Sequence, residues 1–256
     1  MPTKSPLLVL ANILSLAAVL VVNYLANALP IAGRTPGGVS DMFPTLFTPA
    51  GFTFSIWGLI YLLLLGFVIY QARFFAKERP VFMQKIGWLF VLSCAANIGW
   101  LFAFHHLQIE LSMLVMLALL GSLLVIYLRL DIGRAAAFPA ERWLVNLPFS
   151  IYLGWVTVAT IANVSILLTH LGWDGEPGGP QLWTVITIAA AVTLGLIALF
   201  FRRDFGYAGV LIWALFGIYS KRMADFGTDD GMVEMAAIIG MVLLGLGVVY
   251  RIFKRN

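Results

Sequence analysis

Charged residues are scarce in this chain. It contains 16 Lys and Arg and 12 Asp and Glu, which together make 11% of its 256 residues, against about 25% in soluble domains. The mean hydropathy of +0.96 excludes a soluble globular domain. A single cysteine, Cys94, excludes an internal disulfide. The net charge of +4 is typical of membrane-protein loops and does not indicate a nucleic-acid partner.

Long apolar stretches are abundant. Eight runs, most of them near the roughly 20 residues that a helix needs to cross a bilayer, alternate with the charged segments. Only Arg251, next to the end of the last run, lies inside one. The runs cover residues 7–29, 52–71, 86–104, 111–128, 143–168, 182–201, 205–220 and 235–252. The pattern predicts an all-α integral membrane protein with eight transmembrane helices, of which the seventh is the shortest.

The positive charges indicate an orientation. If eight spans alternate from a cytoplasmic N-terminus, only Arg34, Lys221 and Arg222 lie in outer gaps, and the other thirteen Lys and Arg lie in inner ones. Because positive residues favour cytoplasmic loops, this count predicts that both termini are cytoplasmic. We expect a multi-pass protein of the bacterial inner (cytoplasmic) membrane, in contact with its lipid. A cleaved signal peptide is an alternative for the first run, but its length and its Asn12 and Asn23 favour a packed helix.

Two connections are rich in proline and glycine. The first outer loop, residues 30–49, contains four prolines and three glycines, so we predict that it is not helical and covers the mouth of the bundle. Residues 170–180 read as a flexible break. We therefore predict two modules, a five-helix bundle over residues 1–170 and three additional helices over residues 171–256.

Aromatic and amide side chains recur on single faces of the second, third and fifth spans. At a rise of about 1.5 Å per residue, these faces lie at similar depth in the outer half of the membrane. An aromatic-lined cavity with a few amides suits a flat, largely apolar ligand. The alternative is that the rings mark the membrane interface and the amides join helices. The predicted ligand-binding residues are Phe54, Trp57, Tyr61, Asn97, Trp100, Phe104, Tyr152, Trp155, Ala159 and Asn163.

Three motifs resemble those of a known family. Residues 47–61, FTPAGFTFSIWGLIY, are similar to the segment that enters the second helix of the tryptophan-rich sensory protein family, which includes the mitochondrial translocator protein (peripheral benzodiazepine receptor). Residues 97–102, NIGWLF, resemble its third-helix motif, and residues 147–148 and 155–163 resemble its fifth-helix pattern. The likeness covers about residues 7–169.

The resemblance implies a five-helix bundle that binds porphyrins, haem intermediates or sterols, often as a homodimer. It points to six of the predicted residues, which are Trp57, Asn97, Trp100, Trp155, Ala159 and Asn163. The family usually has a Pro-Pro pair and an additional Trp before the second helix, whereas this chain has Thr48-Pro49, Gly51 and Phe52. The Pro148 to Trp155 interval is about one turn longer than usual, and residues 182–256 are expected to have no counterpart.

The three histidines lie at predicted outer ends of spans, where they could meet a metal or haem iron. Adjacent helical residues point about 100° apart, so only one of His105 and His106 can face inward. Interfacial placement is the alternative for all of them, including His170. No nucleophile triad, paired buried carboxylates, phosphate loop or Cys/His cluster is present in the sequence, so we predict no catalytic and no metal-binding residue.

Three functions fit these observations. The first is a sensor, receptor or carrier for a hydrophobic, planar ligand such as a tetrapyrrole, with porphyrin or haem as ligand rather than as a resident cofactor. The second is a secondary transporter of a small uncharged or lipophilic solute, without proton coupling because the spans lack the usual acidic or basic group. An enzyme acting on a bound tetrapyrrole or lipid ranks last.

Overall fold

A computed structural model describes residues 6–29, 31–75, 77–224 and 231–254 of the chain. Every regular element in these residues is helical. Lys4 and Arg255, which enter the charge count, and Pro30 of the first outer loop lie outside the described residues.

Among the described residues, eight helices of 17 or more residues coincide with the eight apolar runs. They are α1 (Pro6–Ala28), α3 (Ile56–Ala72), α5 (Leu89–His105), α6 (Ile109–Leu130), α8 (Leu147–His170), α9 (Gly179–Arg202), α10 (Phe205–Ala224) and α11 (Gly231–Phe253). Three short helices, α2 (Pro36–Asp41), α4 (Val81–Ile86) and α7 (Pro139–Glu141), lie between them. Short 3₁₀ turns form at Ile31–Gly33 and Gly51–Ser55, and a π turn at Arg142–Asn146 leads into α8.

Six of the described helices are long and apolar enough to cross a membrane. They are α1, α6, α9, α11, α3 with the 3₁₀ turn before it, and α8 with α7 and the π turn. The helix α5 is apolar but has only 17 residues, and α10 carries Lys221 and Arg222 in its last turn. The predicted all-helical, multi-pass membrane class is therefore confirmed.

The helices differ from the predicted runs at some ends. The third run was expected to start at residue 86, but Gly87 has φ +52° and separates α4 from α5, so the long helix begins at Leu89. The prediction that residues 30–49 contain no helix is wrong, because Pro36–Asp41 forms α2 with proline in its first turn, where the missing N–H costs no hydrogen bond. The seventh helix is longer than its run and extends to Ala224.

The chain divides into two compact units. The first contains Met1–Val39 and Trp57–Leu153, and the second contains Ser40–Ile56 and Gly154–Asn256. These units are defined by contacts and do not divide the chain between residues 170 and 171. The predicted boundary there refers to modules of membrane helices, and it stays a prediction.

The first unit has an apolar core of aromatic rings and a buried amide contact. Phe67, Phe90 and Phe149 meet edge to face, with centroids 5.1 to 5.9 Å apart. Asn12 of α1 donates to the Gln71 Oε1 atom of α3 at 2.9 Å, in a fully buried position. Such amide contacts between helices are the reason that polar residues are tolerated in the apolar run of α1.

The second unit is held together by close helix packing at glycines. Gly195 of α9 faces leucine side chains of α10 and α11, and Gly240 of α11 faces Val192 and Leu215. A Cβ atom at Gly240 would lie 2.7 Å from Val192 Cγ2 and 2.9 Å from Leu215 Cδ1. Small residues let helix backbones approach closely, which strengthens van der Waals packing where the hydrophobic effect cannot drive association.

Candidate ligand-binding site

In the first unit, three aromatic rings contact Trp57, and a fourth ring contacts one of these three. Trp57 stacks on Tyr61 at a centroid distance of 5.6 Å and on Trp100 at 6.3 Å, and it meets Tyr152 edge to face at 5.9 Å. Trp100 in turn stacks on Phe104 at 5.3 Å. Stacked and edge-to-face contacts are the two ring arrangements that the quadrupole favours. We call these five residues, from α3, α5 and α8, the aromatic cluster.

The local sequence explains why these rings meet. Trp57 and Tyr61 lie four residues apart on α3, and Trp100 and Phe104 lie four residues apart on α5, so each pair occupies one helical face. Trp100, Phe104 and Tyr152 are buried, whereas Trp57 and Tyr61 are partly exposed. Trp57 is therefore the ring of this group that contacts the most other rings while staying partly exposed.

A short line of polar side chains borders the aromatic cluster. Asn97 of α5 donates its Nδ2 to the hydroxyl of Tyr152 at 3.2 Å. Asn23 of α1 donates to Asn97 Oδ1 at 2.9 Å and, through the same nitrogen, to the Val19 carbonyl. The buried Tyr61 hydroxyl lies near Asn97 but meets no described partner in hydrogen-bonding geometry. A neutral polar edge therefore accompanies an otherwise apolar set of rings.

The remaining predicted residues belong to the second unit. Phe54 and Trp155 meet edge to face with centroids 5.9 Å apart, and Trp155 is only 2% exposed. Ala159 is half-buried, and Asn163 is buried one turn further along α8. The ten predicted residues thus form a group of six in the first unit and a group of four in the second, and their role in binding a ligand stays a prediction.

The segment that leads into α3 makes contacts that the sequence did not predict. In the second unit, the Ala50 amide donates to the Gly217 carbonyl of α10 at 3.0 Å. Trp213 of α10 donates its indole N–H to the Thr53 carbonyl at 3.0 Å, and its ring meets Phe52 edge to face at 5.6 Å. The sequence indicated only that the seventh span is the shortest, and nothing in it indicated a partner 160 residues away.

The histidines are placed separately. His105 is fully buried and bonds the Leu101 carbonyl through Nδ1 at 2.7 Å, whereas His106 is exposed, so the prediction that only one of them faces inward is confirmed. The exposed His170 meets Phe43 edge to face at 6.1 Å. Within the described ranges, no three His, Cys, Asp or Glu side chains come together as a metal site.

The side chains of the aromatic cluster and of its polar border are apolar or neutral. The aromatic cluster offers ring faces and edges for an apolar ligand, and Asn97, Asn23 and the tyrosine hydroxyls offer neutral donors and acceptors. All of these groups are uncharged at neutral pH. The site is thus suited to a lipophilic molecule that carries few polar groups.

Comparison with known proteins agrees with the motifs. A sequence model of the family described as TSPO-like protein matches residues 9–250. No curated protein and no solved structure matches the chain. The family match extends through α9, α10 and most of α11, so residues 182–250 have counterparts within the TSPO-like family. The resemblance to the translocator protein was therefore correct, and the chain belongs to the TSPO-like protein family.

Proposed function

We propose that this membrane protein binds a hydrophobic, planar ligand, such as a tetrapyrrole or a sterol, at the aromatic cluster, and acts as a sensor or a carrier of it. The observation that supports this most is the contact of Trp57 with Tyr61, Trp100 and Tyr152 beside a neutral amide line. A flat ligand would stack on the partly exposed Trp57 and use Asn97 or a tyrosine hydroxyl for its few polar groups.

The residues present fit a porphyrin ring better than they fit its metal. Stacked indole and phenol rings match the face of a macrocycle, and the amides can bond its polar edge. A metal-bearing porphyrin would bring its own metal-centred chemistry. His105, which is buried, directly follows Phe104 of the cluster at the end of α5. No step of the proposed function requires that metal.

Fluorescence of purified protein tests the proposal. Titration with protoporphyrin IX should quench tryptophan emission, and Trp57→Ala or Trp100→Ala should weaken binding about tenfold or more, because truncating a central aromatic typically removes a large share of binding energy. Trp143→Ala is the matched control, since that side chain is 67% exposed. If porphyrins, sterols and carotenoids all leave the emission of the wild type unchanged, the proposal is wrong.

We also propose eight membrane spans, both termini in the cytoplasm, and residence in a bacterial inner membrane. In a Cys94→Ala background, single cysteines at exposed Arg134, Glu176 and Phe253 test the topology with a membrane-impermeant maleimide. Eight spans predict that Glu176→Cys is labelled from outside the cell and that Arg134→Cys and Phe253→Cys are protected. If α10 does not cross, Phe253→Cys becomes labelled together with Glu176→Cys.

Transport of a small uncharged solute is the second proposal. The Asn12–Gln71 pair supports it, because Asn12 Oδ1 and Gln71 Nε2 are buried polar atoms with no hydrogen-bond partner among the described residues. Uptake into proteoliposomes that is driven by solute concentration and insensitive to a pH gradient would favour this function over sensing.

A homodimer and bound membrane lipid also stay predictions, which native mass spectrometry of gently extracted protein would test together with any co-purified ligand.

A further inference from the structure

The segment before α3 is held by α10 at four kinds of contact. Its backbone gives and receives one hydrogen bond each, from Ala50 to Gly217 and from Trp213 to Thr53. Phe52 meets Trp213 and Phe216 edge to face, at 5.6 Å and 5.8 Å. Earlier in the chain, at the end of α2, Asp41 pairs with Lys221 of α10 at 2.6 Å.

Gly217 sets the distance between the two chains. A Cβ atom there would lie 2.8 Å from Thr53 Cγ2 and 3.0 Å from Pro49 Cβ, and it would overlap with Thr53 Oγ1. Thr53 is fully buried, so its side chain cannot move out to solvent. The absence of a side chain at residue 217 is therefore what allows the Ala50 amide to reach the helix backbone.

This contact has a consequence for ligand binding. Phe54, itself a predicted ligand-binding residue, follows Thr53 directly and meets Trp155 of α8. Trp57 of the aromatic cluster comes three residues after Phe54 in the chain. The backbone groups of Ala50 and Thr53 would be costly to leave unbonded in an apolar environment, so the segment keeps its place only while α10 supplies their partners. We propose that Trp213 and Gly217 are positioning residues that hold the segment from Pro49 to Phe54, and that the last three helices thereby set ligand affinity.

The affinity part of this inference rests on the proposed ligand-binding function, whereas the anchoring part does not. Gly217→Ala is the central variant, and Gly209→Ala on the same helix is its control, because a Cβ atom at Gly209 meets nothing within 4 Å. Thr53→Ala is the rescue, since it removes both side-chain atoms that the new methyl group would meet at that residue. The Thr53 hydroxyl makes no hydrogen bond in the described part of the chain, so its removal breaks none.

Amide hydrogen exchange of peptides covering residues 47–56 reports the anchoring. We expect Gly217→Ala to increase exchange there roughly five- to tenfold, Gly209→Ala to leave it unchanged, and Gly217→Ala with Thr53→Ala to restore it. Trp213→Phe keeps the ring contact with Phe52 but removes the indole donor, and it should increase exchange without lowering the yield of folded protein. Equal exchange in the wild type, Gly217→Ala and Trp213→Phe would overturn the anchoring.

Quenching by protoporphyrin IX reports the affinity in the same preparations. Weaker quenching in Gly217→Ala that recovers in the rescued double variant supports the proposal. Faster exchange with unchanged affinity overturns the link to the ligand. If the wild type itself binds no probe, the proposed function fails and so does the link, while the exchange result still decides the anchoring.

Discussion

Removing the buried amide pair of the first unit should leave the protein as stable as before, provided that both partners are removed. Asn12 and Gln71 are 2% and 0% exposed and share one hydrogen bond of 2.9 Å. Asn12 Oδ1 and Gln71 Nε2 have no described partner. The test replaces them by apolar residues of similar size, as Asn12→Leu, Gln71→Met and the double variant.

The expected magnitudes follow from the count of stranded atoms. Each single change removes one buried polar atom that has no partner, but it leaves another such atom on the remaining amide and breaks the hydrogen bond. Because that bond is worth about 0.6 kcal/mol in a membrane helix pair, we expect the free energy of unfolding to fall by about 1 kcal/mol. The double change removes both stranded atoms together with the bond, so its unfolding free energy should equal or exceed that of the wild type. The coupling energy of the cycle is then about 2 kcal/mol.

The assay is unfolding in mixed micelles titrated with SDS, followed by tryptophan fluorescence. A control cycle with Leu7→Ala and Ile69→Ala changes exposed side chains of the same two helices, at 64% and 59% exposure, and should be additive. Additivity of the Asn12 and Gln71 changes to within about 0.4 kcal/mol would show that the two amides do not interact, and the reasoning would be refuted.

Two further predictions concern packing and the polar line. Gly240→Ala should lower the free energy of unfolding by about 1–2 kcal/mol relative to Gly245→Ala on the same helix, because only the methyl group at residue 240 would meet side chains closer than 3 Å. Equal stability of the two variants in SDS titration would contradict the close packing at Gly240. Tyr152→Phe removes the acceptor of Asn97 Nδ2 and should cost about 1 kcal/mol, whereas Tyr24→Phe, at 71% exposure, should change nothing; equal effects would exclude the hydrogen bond.

The helices were predictable because apolar length alone determines them. Each run of near-uniform hydropathy became a helix, since a chain in lipid must bond its backbone internally. The ends were less predictable, because they depend on single residues. Gly87 interrupts an apolar stretch with a positive φ, and Lys221 and Arg222 extend α10 beyond its run in spite of their charge.

The aromatic cluster was predictable in part for a similar reason. Helical periodicity places Trp57 with Tyr61 and Trp100 with Phe104 on shared faces, and equal depth along the helices made contact of Trp57 with Trp100 and Tyr152 a reasonable expectation. The amide pair of Asn12 and Gln71 was not predicted, because the rotation of one helix against another depends on packing that hydropathy does not encode.

The contact of α10 with the segment before α3 changes how the last three helices are understood. By sequence they follow a five-helix likeness and look separable from it. Yet the Ala50 amide and the Thr53 carbonyl, which lie inside the motif that carries the likeness, find their hydrogen-bond partners on α10. Backbone groups buried away from water need such partners, so the proposed anchoring predicts that the motif loses this conformation without α10. The family match through residue 250 agrees with helices that are part of the fold rather than an attachment to it.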